Sequence, residues 1–257
     1  MEIVNVLGLK PDKDYGQNFL LDPEVSNRIV SLLDINEKDS VLEVGPGLGS
    51  ITHFIVEKCV PAVCDIDRRM INFLEQTYKD KLVYICEDIR KIDISVYNKI
   101  IGNLPYNITS ELVVFLLTNA KKADKFVLMA QKEAVDRIFD LSGKEYGPLS
   151  IYLHLLCECK KEFSLKPSYF YPAPKVVSTV FTATPKKDVD KDLVFKVYKL
   201  AKSLFLNRRK TIYNNLKNYL GDQERAKQVL EKVSINLTSR PEEISPDKYL
   251  DLYQAIY

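Results

Sequence analysis

Histidine is almost absent from this sequence: His53 and His154 are the only two in 257 residues, and they lie far apart. A histidine-based metal site or catalytic triad is therefore not expected, and any chemistry must run on other groups. The five cysteines, Cys59, Cys64, Cys86, Cys157 and Cys159, contain no Cys-x-x-Cys pair. An odd number without metal-ligand spacing reads as buried thiols in a reducing cytoplasm, with no metal. No apolar run approaches the roughly 18 residues that a membrane span requires, so no membrane partner is expected. The opening residues, MEIVNVLGLKPDKD, are too short and too acidic a stretch to read as a signal peptide. Acidic residues are also missing from Leu193 to Gly221, where seven basic residues stand.

What is present is an ordinary globular composition, 46% hydrophobic and 28% charged, long enough for one large or two ordinary domains. The net charge of +2 is unevenly placed: from Lys186 to Tyr257 there are 15 Lys/Arg against 10 Asp/Glu. That asymmetry points to a polyanion partner near the C-terminal part, with a solvated helix face as the other reading. LDPEVSNRIVSLL reads as a helix with Asp22 as its cap and Pro23 in its first turn. Strand-like and helix-like segments then alternate: SVLEVG with SITHFIVEK, VPAVCDI with DRRMINFLEQTY, KLVYIC, NKIIGN with SELVVFLLTNA, and KFVLMAQ with KEAVDRIFDL. This alternation predicts an α/β fold with a mostly parallel sheet covered on both faces. YGPLSIYLHLLCEC reads as one more helix and VVSTVFTAT as a late strand. The charged segment PKKDVDKD separates residues 1–185 from residues 186–257, where LVFKVYKLAKSLFLNRRKTIYNNLKNYL reads as amphipathic helix.

VLEVGPGLGS places Gly45, Gly47 and Gly49 between a buried strand and a helix, where backbone and helix N-terminus are open to a ligand. The dinucleotide fingerprint needs a glycine where Ser50 stands. With Glu43 two residues ahead, the spacing instead looks like the S-adenosyl-L-methionine loop of Rossmann-like methyltransferases. The second strand ends in CDID, where a carboxylate across the crevice can accept both ribose hydroxyls. Asp65 is the choice; Asp67 is the rival, with capping of the next helix as its other role. After the third strand, Asp88 of CEDIR suits a hydrogen bond from an adenine amine, or a surface turn.

The fourth strand ends in GNLPYN, residues 102–107. A turn explains Asn and Pro but not the full set. An adenine amine is a poor nucleophile because its lone pair is delocalised into the ring. Two acceptors aimed at its hydrogens favour a pyramidal nitrogen with a free lone pair. The Asn103 side-chain oxygen and the Leu104 carbonyl supply them, Pro105 fixes the turn, and Tyr106 offers a ring for stacking on an extruded base. No general base is needed before transfer.

Here the chain resembles the ribosomal RNA adenine dimethyltransferases, which modify two adjacent adenines near the 3′ end of small-subunit RNA. The likeness runs through YGQNFL, VLEVGPGLG, NLPYN, LMAQKEAVDRI, YGPLS, SYFYPAPKVVSTV, FLNRRKTIYNNL and RPEEIS. It implies a Rossmann-like catalytic domain over 1–185 and a helical RNA-binding domain over 186–257. It also implies cofactor contacts from Asn18 and Leu20, and a second stacking ring at Phe170. The implied partner is 16S rRNA within the small ribosomal subunit, and the implied setting is a cytoplasmic monomer. Lys196, Lys199, Lys202, Arg208, Arg209 and Lys210 are the expected phosphate contacts. The last three, consecutive on a predicted helix, fan over roughly 200°, leaving at least one to pack or pair inside the protein. Two departures stand out: Asp65 replaces the family's usual Glu, and KPDKDY is less basic than usual, so weaker RNA contacts are expected there. The rivals are the large-subunit dimethyltransferases of macrolide resistance, which typically read Asn-Ile-Pro-Tyr, and an assembly factor that does not methylate.

Overall fold

A computed structural model describes Pro11 and residues 16–257. Tyr15 and most of the KPDKDY stretch, with its expected RNA contacts, lie outside the described residues. Strand β1 (Phe19–Leu20) leads into helix α1 (Pro23–Ser31). Asp22 caps it by accepting from the Val25 amide at 3.0 Å, and Pro23 occupies its first turn. The alternation then follows as β2 (Val41–Val44), α2 (Thr52–Ile55), β3 (Ala62–Asp65), α3 (Arg68–Tyr78) and β4 (Val83–Cys86). It continues with β5 (Lys99–Asn103), α4 (Thr109–Asn119), β6 (Lys125–Gln131) and α5 (Lys132–Phe139).

These strands form one seven-stranded sheet in the order β4-β3-β2-β5-β6, completed by two later strands, β9 (Ser178–Pro185) and β7 (Cys157–Leu165). Pairings among β2 to β6 are parallel, and β9 runs antiparallel to β6. The chain travels outward from β2 to β4, then returns to lay β5 against the other side of β2. That reversal is a topological switch point, where the strand ends open a crevice. Gly102 makes the β2–β5 approach possible, since a Cβ there would sit 2.6 Å from the Val44 carbonyl oxygen. Val63, Ile71, Leu74 and Leu82 pack α3 onto this half of the sheet.

Two expectations need correction. Helix α6 (Pro148–Leu156) stops before Cys157, and the CEC residues begin β7 instead of ending the helix. Its sequence, CECKKEFSL, carries few apolar residues because β7 ends the sheet order, and charge on an edge strand discourages pairing with other chains. The long amphipathic stretch is two helices, α7 (Lys191–Leu204) and α8 (Ile212–Leu220), with a turn over 205–211. Thr211 caps α8, and the buried Asn215 amide donates to the carbonyls of Asn207, Lys210 and Thr211 at 3.1–3.3 Å. Such side-chain bonds offer the backbone a stable alternative to continued helix. Helices α9 (Gln223–Lys232) and α10 (Pro246–Ile256) complete the chain.

The protein packs as two compact units: the described residues through Ala134 with Lys160–Thr184, and Val135–Cys159 with Pro185–Tyr257. The later boundary thus falls at the charged segment, but Val135–Cys159 belongs with the C-terminal helices and not with the sheet. Its helix α6 is apolar on most sides and is covered by α7 and α10. The buried Tyr146 hydroxyl ties this segment to the Ile244 carbonyl at 2.8 Å. No helix among the described residues is long and apolar enough to cross a membrane.

Candidate active site

A cavity of about 200 Å³ opens at the switch point. Its wall is made of Gly16–Phe19, the Gly45 and Gly47 backbone, Asp65 and Ile66 after β3, Asp88–Arg90 after β4, and Asn103–Ile108 after β5. All of these groups except Gly16–Phe19 sit where β2, β3, β4 and β5 end on the same edge of the sheet. Gly45, Gly47 and Gly49 all hold positive φ angles. At Gly47 the need is doubled, because a Cβ would also lie 2.9 Å from the Phe19 ring.

The two acids of CDID separate cleanly. Asp67 caps α3 by accepting from the Arg69 amide at 3.0 Å, and also takes the Arg69 guanidinium and the Gln17 amide. Burial raises its pKa, but these hydrogen bonds outweigh burial and hold it below the usual carboxylate value. Asp65 is the acid that lines the cavity. Burial pushes it up to about 6, opposed by hydrogen bonds from the amides of Asp67, Gly47 and Ile66 and aided by the charge of Asp67. Asp88 caps a short 3₁₀ turn and is gripped by the Arg90 guanidinium at 2.6–3.1 Å, which holds its carboxyl below the usual range.

In the Asn-Leu-Pro-Tyr turn, Asn103 Nδ2 donates to the Asn18 carbonyl at 3.1 Å. Because that partner is a carbonyl, the amide orientation is fixed and Oδ1 must point the other way. Oδ1 is buried and has no hydrogen-bond partner among the described residues. A buried acceptor left so costs about 1–3 kcal/mol, which a ligand donor can recover. The Leu104 amide donates to the Met129 carbonyl at 2.9 Å, so the turn is pinned to β6. Pro105 offers its carbonyl to the Thr109 hydroxyl at 3.0 Å. Tyr106 shares a 2.7 Å hydrogen bond with the buried Ser178 hydroxyl, and burial pushes its phenol up, keeping it neutral.

Four expected residues do not line the cavity. Leu20 and Phe170 face each other in the β1 pairing with β8 (Phe170–Tyr171), and both lie in the apolar core with Ile29 and Leu165. At 3% exposure, the Phe170 ring packs in that core with Leu20 and does not face the cavity. Glu43 is fully buried and accepts from the Thr52 hydroxyl at 2.6 Å; burial pushes its carboxyl up to about 7. Gly49 packs against Leu74 and Tyr78. In the C-terminal unit, Arg208 is spent internally, donating to the Gly143 carbonyl at 2.6 Å and pairing with Glu242 at 3.4 Å. Lys196, Lys199, Lys202, Arg209 and Lys210 are exposed, with Lys199 over the Phe195 ring, and Arg208–Lys210 lie in the turn before α8, not on a helix. Sequence reasoning missed Gln17, Ile66, Arg90 and Ser178. Ile66 was available as the neighbour of Asp65, but Arg90 acts with Glu111 and Ser178 with Tyr106 across separations that no local pattern marks.

Residues 8–257 match the family described as ribosomal RNA adenine dimethylase. The chain belongs to that family. Ribosomal RNA small subunit methyltransferase A of Malacoplasma penetrans is 39% identical over 249 residues, covering 94% of this chain and 90% of that protein. The protein of the same name from Fusobacterium nucleatum is 34% identical, covering 95% and 96%. Among solved structures, a dimethyladenosine transferase from Plasmodium falciparum superposes with a TM-score of 0.77 at 25% identity, covering 91% of this chain and 95% of that one. A 23S rRNA methyltransferase shares the fold, with a TM-score of 0.70 at 20% identity over 93% of this chain and 99% of that one. The dimethylase family, and the small-subunit names of these relatives, therefore agree with a Rossmann-like methyltransferase and not with the large-subunit alternative.

Proposed function

We propose that this protein dimethylates the N6 amines of two adjacent adenines near the 3′ end of 16S rRNA, in the small ribosomal subunit or its precursor, with S-adenosyl-L-methionine as donor. The observation that carries this reading is the buried, unpartnered Asn103 Oδ1 at the edge of the cavity. The cavity fits the cofactor in three respects: a glycine backbone that no Cβ obstructs, a carboxylate at Asp65 for ribose hydroxyls, and an acceptor at Asp88 for an adenine amine. When bound, the cofactor would supply an electrophilic methyl group for attack by the target amine, with S-adenosylhomocysteine as the leaving group.

The chain's own residues prepare that amine. In the first transfer Asn103 Oδ1 and the Leu104 carbonyl accept its two hydrogens, and in the second one of them accepts the single hydrogen left, which withdraws the lone pair from the ring and leaves it outside the ring plane. Asn18 keeps the Asn103 amide from rotating, and the Met129 carbonyl keeps the turn against β6. The Tyr106 ring, anchored through Ser178, stacks on the extruded base. A proton leaves the amine after each transfer, so no buried base is required. Leu20, Glu43, Gly49 and Phe170 support the cavity from behind. Arg209, Lys210, Lys196, Lys199 and Lys202 contact RNA phosphates in a helical C-terminal domain, and the protein works as a cytoplasmic monomer.

The test is methyl transfer from labelled cofactor to purified small subunits whose two adenines are unmodified and, in parallel, to unmodified large-subunit RNA. Four methyl groups per subunit, with none on large-subunit RNA, is the expected result. Label on large-subunit RNA alone, or none on either, contradicts the reading.

A further inference from the structure

Arg90 carries the only positive charge among the described residues that line the cavity. Its side chain joins two acids from different elements. Nε and Nη2 grip Asp88, and Nη1 donates to Glu111 at 2.6 Å, in the first turn of α4 just beyond the Asn-Leu-Pro-Tyr turn. The Arg90 amide also donates to Asp88 Oδ1 at 3.0 Å. Oδ1 thus accepts from both the amide and Nε, whereas Oδ2 accepts only from the guanidinium. Nε contacts both oxygens with a single hydrogen, so three hydrogens in all meet about four acceptor positions and one, on the Oδ2 side, remains. A planar fork fixes the plane of its carboxylate in a way that a single ammonium does not. Fold stability is a poor account of this arrangement, because Arg90 and Glu111 are 39% and 59% exposed and such pairs contribute little.

We propose that Arg90 is a positioning and specificity-determining residue for the adenine end of the cofactor. It holds Asp88 so that the remaining Oδ2 acceptor meets an exocyclic amine, and Glu111 holds Arg90 in turn. This rests on the cavity being the S-adenosylmethionine site. A purine bearing a 6-amine is then favoured over one bearing a 6-oxo group, whose lone pairs the carboxylate repels. Arg90 sets the size of that preference.

Calorimetry with S-adenosylhomocysteine and S-inosylhomocysteine tests this on the full chain. The unmodified protein is expected to favour the amine by roughly tenfold or more, the value of one charge-assisted hydrogen bond. Arg90→Met is expected to shrink the preference to about threefold or less while leaving affinity for the inosine ligand nearly unchanged. Arg90→Lys restores part of it, and Glu111→Gln narrows it but adds nothing to Arg90→Met. Equal losses for both ligands in Arg90→Met make Arg90 mere cavity wall and overturn the proposal. If that variant does not fold, an unchanged preference in Arg90→Lys overturns it. Failure of the unmodified protein to bind S-adenosylhomocysteine removes the cofactor reading itself, and this inference with it.

Discussion

The Asn103 side chain is oriented by the backbone of Asn18, 85 residues earlier, through a 3.1 Å hydrogen bond. Asn18 in turn donates its own side chain to the Gly16 carbonyl at 3.0 Å, folding the segment over the cavity. The Asn103 side chain and the Gly16–Asn18 segment at the cavity wall are therefore one hydrogen-bonded assembly. Asn18→Ala keeps the carbonyl but frees the segment, and is expected to weaken cofactor binding and slow transfer, each by roughly two- to tenfold. Unchanged values in both measurements mean that the β1–β8 pairing and the Ser50 bond to the Leu20 carbonyl suffice.

The role proposed for Asp65 predicts cofactor binding that depends on pH. Burial raises its folded-state pKa to about 6, above the usual carboxylate value of about 3.9. The folded protein therefore binds this proton more tightly than the unfolded chain. Its contribution to stability falls as pH rises from about 4 to about 6, and stays low above that interval. In the proposed role cofactor affinity moves the other way, because an ionised carboxylate would accept from ribose hydroxyls with both oxygens. Titration calorimetry from pH 5 to pH 7 is expected to show affinity rising by up to roughly tenfold. Glu43, pushed up to about 7, titrates nearby, so Asp65→Asn is the control in which the Asp65 portion of the rise disappears. An identical slope in that variant removes Asp65 from the role.

The basic cluster before α8 divides by exposure. Arg209 and Lys210 are exposed, whereas Arg208 holds Gly143 and Glu242. Arg209→Gln with Lys210→Gln is expected to weaken binding to small subunits and to reduce the salt slope by roughly 0.7–0.9 per lost contact. Arg208→Gln is expected instead to lower the melting temperature with little change in that slope. The reverse pattern would show Arg208 to be the phosphate ligand.

The sheet was legible because its strands are short apolar runs set between amphipathic helices, and all of β2 through β6 lie where the pattern puts them. The cavity was legible for a related reason: Gly45, Asp65, Asp88 and Asn103 each lie at the end of a strand or within two residues of it. What escaped depends on distant partners. Strand β7 is charged because it ends the sheet, so its apolar signal is weak. The turn at 205–211 exists because Asn215 bonds back to three carbonyls, and helical spacing of apolar residues carries no trace of that. Phe170 sits in a segment whose resemblance implied stacking, yet its pairing with Leu20 commits the ring to the core.

In the proposed mechanism the free Asn103 oxygen accepts a hydrogen from the target amine during transfer. Single-turnover methylation of small subunits by Asn103→Ala, with cofactor affinity measured alongside, tests it most directly. Loss of one preorganised acceptor is expected to slow transfer on the order of a hundredfold, with cofactor binding within about twofold of the unmodified protein. Near-normal transfer by a folded Asn103→Ala variant with bound RNA would contradict the claim and leave the Asn-Leu-Pro-Tyr turn a structural feature alone.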